Sequence, residues 1–231
     1  ILVIIVLPVV SYLLVKDVKL DTREKSNSSN STKEIRQWTR IEVLKDYRFY
    51  IISMTMLAMP WIATGSFVYQ SFITTSKEWG PYIIAQSFMA YSIFSVITLF
   101  IAGFLIDKFS SRRLLIYMNI PLFLATIVLF YFNSQISSFL FFGMIGITNG
   151  LANVLGSSTW AEIYGVKYIG SIKALTTALM VFATAFGTAL FGILIDYGFS
   201  IEQIAIVSGV YILSSIILLY MINNKLNPEY L

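Results

Sequence analysis

Long apolar runs separated by short polar breaks dominate the chain from residue 49 onward. They cover 49–75, 82–106, 114–132, 139–164, 172–195 and 204–222. Each is near the roughly 20 helical residues needed to cross a hydrocarbon core about 30 Å thick. A shorter run over 1–15 reads as the end of a preceding membrane helix, so an N-terminal part of the protein is expected beyond this sequence. Residues 16–48 form a polar, Ser/Asn-rich linker, and 224–231 a polar tail. Within the linker Ser31 and Glu34 have capping-box spacing, and Ile35, Trp38, Ile41, Val43 and Leu44 recur at helical spacing. This predicts a short amphipathic helix over 32–46 on the membrane surface; a lead-in turn of the next span is the plainer alternative. The expected fold is all-α: a polytopic membrane helix bundle, with 49–223 as its six-helix body.

Composition agrees. The chain is 57% hydrophobic and 12% charged, against about 25% charged in soluble domains. It has no cysteine and no histidine. That excludes disulfides, thiol nucleophiles and His-dependent catalysis, and removes the commonest zinc ligands. No metal, cofactor or enzymatic activity is expected. The net charge of +4 does not point to nucleic acid, because the cations sort by loop. Those of the linker, with Lys108, Arg112, Arg113, Lys167, Lys173 and Lys225, fall on one side of the six spans, and only Lys77 falls on the other. By the positive-inside rule the linker and C-terminus are cytoplasmic, and a plasma (inner) membrane location is expected.

A short tag occurs twice. "GFLIDKFSSRR" (103–113) closes the second full span and "GILIDYG" (192–198) closes the fifth. The charge alternation puts them on opposite faces, as two inverted three-helix repeats would. Gly103 and Gly192 would admit a neighbouring helix. Asp107 and Asp196 would accept hydrogen bonds from a helix N-terminus. Lys108, Arg112 and Arg113 would anchor the tag, and Glu162 at the end of the fourth span would join it in a latch. The plain alternative is a helix stop followed by membrane anchors.

The first tag resembles the loop motif of the major facilitator superfamily, Gly-x-Leu-Ala-Asp-Arg-x-Gly-Arg-Arg. Gly103, Leu105, Asp107, Lys108 and Arg112 match, while Ser110 and Ser111 stand where the motif has Gly and Arg. The resemblance implies that the six spans are helices seven to twelve, that 1–15 ends helix six, and that the linker is the central loop. "WAEIYGVKYIGSIKAL" (160–175) is similar to the monocarboxylate and oxalate–formate branch.

Candidate binding residues come from polar groups inside the spans. Asn149, Asn153 and Ser157 share one helical stripe, with Gly146 and Gly150 alongside. A mid-span amide facing lipid is costly, so the stripe faces a polar cavity or bonds another helix. Pro60 frees a backbone carbonyl and, with Gly65, predicts a kinked first span. Thr64, Ser66, Tyr69 and Gln70 follow it. Tyr91 lies with Ser87 and Ser95 on the second span. The third and sixth spans have few polar centres and read as lipid-facing supports. No charged residue lies near the middle of a span.

Secondary active or facilitative transport of a small polar solute by alternating access is the expected function. The branch resemblance implies an organic anion such as a monocarboxylate. Expected partners are the solute, the bilayer and the N-terminal half, in a protein that is a functional monomer when full length. A non-transporting receptor or scaffold on the same fold is the alternative.

Overall fold

The computed structural model describes residues 36–230. The helix end at 1–15, most of the linker and the Ser31–Glu34 box lie outside the described residues. Among those described, the regular elements are helical: α1 Arg40–Lys45, α2 Tyr47–Val68, α3 Gln70–Ser76, α4 Pro81–Phe109, α5 Ser111–Leu114, α6 Ile120–Tyr131, α7 Gln135–Tyr164, α8 Ile169–Asp196 and α9 Ile201–Ile222. Single 3-10 turns follow α5 (Leu115–Tyr117) and α9 (Asn223–Lys225). Among the described residues, six stretches are long and apolar enough to cross a membrane: Tyr47–Val68, Tyr82–Phe109, Ser111–Tyr131, Gln135–Tyr164, Ile169–Asp196 and Ile201–Lys225.

The surface helix is shorter than the apolar spacing predicts, starting at Arg40. Residues 36–39 are drawn out because their backbone bonds elsewhere: the Arg36 N–H donates to the Glu229 carbonyl (2.7 Å) and the Trp38 N–H to that of Tyr164 (3.0 Å). Helix α1 is capped instead at Thr39, whose N–H and hydroxyl both donate to Glu42 (2.8 and 2.7 Å). Those two bonds, and Arg36 beside them, push the Glu42 carboxyl down to about 2. Trp38 and Val43 are buried, whereas Ile41 is exposed.

Helix α2 runs unbroken through Pro60 and Gly65, and the helix is interrupted at Tyr69 (φ −99°, ψ 26°), where α3 begins. Gly65 is a packing seat: a Cβ there would lie 2.5 Å from the Phe191 ring.

Helix packing follows a two-fold rule. Helix α7 packs on α4 and α6; α2 packs on α8 and α9; α6 and α9 pack on each other, as do α2 and α7. Exchanging the first three spans (α2, α4, α6) for the last three (α7, α8, α9) returns these neighbours, with an α7–α8 contact as the departure, a pattern that suits two inverted repeats. Glycine makes the two longest seams possible. A Cβ on Gly146 would collide with the Tyr91 carbonyl, one on Gly150 would sit 2.6 Å from the Ser95 carbonyl, and one on Gly187 would collide with the Trp61 carbonyl. Backbone therefore meets backbone along α4–α7 and α2–α8. The third and sixth spans, expected as outer supports, close the bundle between these pairs. Helices α4 and α8 are the barest, with 17% of their apolar window buried against 67% for α2.

The buried apolar side chains form two clusters. One gathers Trp61, Phe141, Phe142, Phe191 and Ile204; the other gathers Phe49, Ile52, Trp160, Tyr164 and Leu219.

Candidate functional site

A cavity of about 90 Å³ lies where the two clusters divide, between α2, α7 and α8. That is room for roughly three waters at ~30 Å³ each. Ser53, Met56 and Pro60 contribute from α2; Asn149, Asn153 and Trp160 from α7; Thr176 and Met180 from α8. These positions come together because the Asn149 stripe lies beside the glycine line of α7 that packs on α4, and α2 and α8 are paired along its other side.

Asn149 has two roles. Its side-chain N–H donates to the Ser95 hydroxyl (2.8 Å), joining α7 to α4, while it also lines the cavity. The Asn153 amide donates to the Asn149 backbone carbonyl (2.9 Å) and is exposed. The Ser157 hydroxyl is 3.5 Å from the Asn153 carbonyl, one turn below. The Ser53 hydroxyl is buried and has no hydrogen-bond partner. A polar atom without a partner at membrane depth costs about 1–3 kcal/mol unless something polar enters beside it. The lining carries amide, hydroxyl, thioether and indole groups and no charge.

The other predicted binding residues sit elsewhere. Ser66 is buried and bonds back to the Ile62 carbonyl (2.8 Å) of its own helix. Thr64 is half-buried on the same turn. The Tyr69 ring stacks on Phe191, with its hydroxyl against Gly192, and Gln70 begins α3. Tyr91 meets the edge of Phe67 at 5.2 Å on the α4–α7 seam. Ser53, Trp160 and Thr176 are the polar lining residues that sequence reasoning missed, along with the apolar ones such as Met56 and Met180. Only the unexplained hydroxyls of Ser53 and Thr176 inside apolar runs hinted at them.

Each face of the bundle carries a polar seam. On the cation-rich face Glu162 receives the Ser110 hydroxyl (2.5 Å), the Ser111 N–H (2.9 Å) and hydroxyl (2.6 Å) and the Arg112 N–H (3.4 Å). The Arg112 guanidinium lies 3.0 Å away. Glu162, not Asp107, is thus the carboxylate at the start of α5. Asp107 and Asp196 are exposed and without a partner among the described residues; Lys108 lies over the Phe109 ring, and nothing approaches Gly103 within 4 Å. On the opposite face Lys77 is wholly buried, donating to Glu202 (2.7 Å) and Asn133 (2.9 Å). The repeat exchange maps one seam onto the other: the end of the first span meets the start of the sixth, and the end of the fourth meets the start of the third. The charge order is reversed between them.

The tail is stitched to the cation-rich face. Arg48 bridges Asp46 (2.7 Å) and Glu229 (2.9 Å), Arg36 also reaches Glu229 (3.1 Å), and the Tyr164 hydroxyl donates to Asp46 (3.0 Å).

Among known families, the chain matches the family model described as Major Facilitator Superfamily twice, over residues 1–188 and over 48–229. A search of curated proteins finds no match.

Proposed function

We propose a function from the premise that this chain belongs to the Major Facilitator Superfamily. It is an integral membrane protein whose family membership and six apolar helices support membrane transport of a solute. Our finer reading is that the α2–α7–α8 cavity is one wall of a solute site worked by alternating access. The opposite wall belongs, in this proposal, to a second bundle in an N-terminal half of the same protein, packed against the bare faces of α4 and α8. The cation-rich face, with the linker and tail, is cytoplasmic in this reading.

The observation that carries it is the unpartnered Ser53 hydroxyl beside the mid-span amides of Asn149 and Asn153. Those amides have protein partners, whereas the Ser53 hydroxyl at that depth gains one only if water or solute enters the cavity. The wall is uncharged, so by itself it suits a neutral polar solute. An organic anion such as a monocarboxylate would need a cation from the facing wall. No carboxylate lines this cavity, so a proton- or ion-coupling group would also lie across it.

This chain has no cysteine, so thiol labelling tests the reading once any cysteine elsewhere in the full protein is replaced. In the full protein in sealed vesicles, Asn153→Cys and Ser53→Cys should react with a hydrophilic methanethiosulfonate, and added solute should slow the reaction. If both stay unreactive while a loop cysteine labels fully, the cavity is dry packing and the transport reading fails.

A further inference from the structure

We propose that a crevice at the cation-rich end of α5 and α9 binds the phosphate of an anionic phospholipid. Its volume is about 320 Å³, and it is lined by Arg112, Arg113, Asn223, Asn224 and Asn227. Guanidinium and carboxamide N–H groups are the donors that suit a phosphate oxygen, and no carboxylate lines the space. The larger crevice around Arg36 differs in this respect, because Glu42, Asp46 and Glu229 already neutralise its cations.

The donors are prepared unequally. Arg112 is fixed, with its guanidinium beside Glu162 (3.0 Å) and donating to the Asn227 side-chain Oδ1, while the Asn227 side-chain N–H donates to the Asn224 backbone carbonyl (3.2 Å). Arg113 is exposed, and among the described residues neither it nor the side-chain amides of Asn223 and Asn224 have a hydrogen-bond or ion-pair partner. A fixed rim therefore surrounds donors left open for an anion.

The surroundings select a lipid over a free anion. Immediately below the crevice Tyr117, Tyr220 and Met221 are 61%, 71% and 72% exposed. Exposed Leu213 and Ile217 continue that stripe along α9 at helical spacing, and Ile120 and Leu124 continue it along α6. The stripe leads to an apolar groove of about 350 Å³ between α6 and α9, lined by Phe123, Phe130 and Leu213, with Gly209 leaving its wall bare. Arg113 and Leu124 are separated by roughly 15 Å of helical rise, about half the thickness of a hydrocarbon core. A phosphate held at Arg113 thus places an acyl chain of its own leaflet along the stripe, with its end at the near edge of the groove by Phe123 and Leu213. Charge at the head and apolar contact along the tail are the two terms that anchor a lipid.

Native mass spectrometry of the full protein in mild detergent tests this. The probes are dioleoyl phosphatidylglycerol, dioleoyl phosphatidylcholine and inorganic phosphate. Phosphatidylglycerol should be retained with about tenfold preference over phosphatidylcholine, the equivalent of one charge-assisted hydrogen bond. Arg113→Ala should abolish the preference, and Asn224→Asp, which puts a carboxylate into the crevice, should abolish it independently, each with an unchanged circular dichroism spectrum. Should Arg113→Ala fail to fold, Asn224→Asp decides. Equal retention of both lipids, or an undiminished preference in folded Asn224→Asp, overturns the proposal. Displacement of phosphatidylglycerol by an equal concentration of inorganic phosphate also overturns it, since the site would then read a free oxyanion.

Discussion

Ser110 sits at φ 73°, ψ 139°, a conformation that side chains avoid. It occupies the position where the superfamily motif has glycine. Two effects oppose each other there. Backbone strain costs about 1–3 kcal/mol, and a hydrogen bond to a charged carboxylate contributes about 1.5–3 kcal/mol. The hydroxyl, at 2.5 Å from Glu162, supplies that bond. Replacing Ser110 by glycine relieves the strain and loses the bond, so Ser110→Gly should stay within about 1 kcal/mol of the parent. Ser110→Ala keeps the strain and loses the bond, and should be destabilised by about 1–3 kcal/mol. Thermal unfolding in detergent measures both; an alanine variant as stable as the glycine one would mean that the hydroxyl holds nothing. The same scale shows what the chain disclosed. Asn149 and Asn153 were legible because amides inside an apolar run have few explanations. Ser53 and Thr176 were not, because a lone hydroxyl can satisfy itself on its own helix, as Ser66 does. The substitution of Ser110 for glycine was visible, but its compensation by Glu162, 52 residues away, was not.

Between elements, the seams are set by where glycine meets a carbonyl. Gly187 lies against Trp61 with no room for a side chain, whereas nothing approaches Gly103 within 4 Å. Gly187→Leu should force α8 from α2 and cost about 1–3 kcal/mol by overpacking, while Gly103→Ala, inside a helix with room for the methyl group, should raise the unfolding midpoint slightly. Tryptophan-fluorescence melts of the two variants separate the outcomes, and equal midpoints would remove the close seam. Span positions were readable from hydropathy because lipid exposure and burial against protein both demand apolar residues. That same degeneracy hid which spans form the walls of the bundle. The third and sixth spans, α6 and α9, pack on each other, while the least buried helices are α4 and α8. Pro60 likewise marks a lost hydrogen bond without interrupting the helix, and the interruption at Tyr69 has no sequence mark as strong.

At the scale of the molecule, exchangeable neighbours and polar seams on opposite faces require that the ends of α8 and α9 lie on different sides of the bilayer. Phe199 precedes α9 and Tyr230 follows it, and both are exposed. In sealed vesicles an impermeant maleimide should label Phe199→Cys from one side only and Tyr230→Cys from the other only; labelling of both from one side would dismantle the six-span arrangement. A mechanical asymmetry follows from the cavity between α2, α7 and α8. Two helix pairs meet closely along their backbones, and a hollow of about 90 Å³ interrupts the packing between those pairs. Under hydrostatic compression or lateral bilayer tension the close pairs can only translate as stiff rods. Strain then concentrates at the hollow, which is the soft direction of an otherwise rigid body.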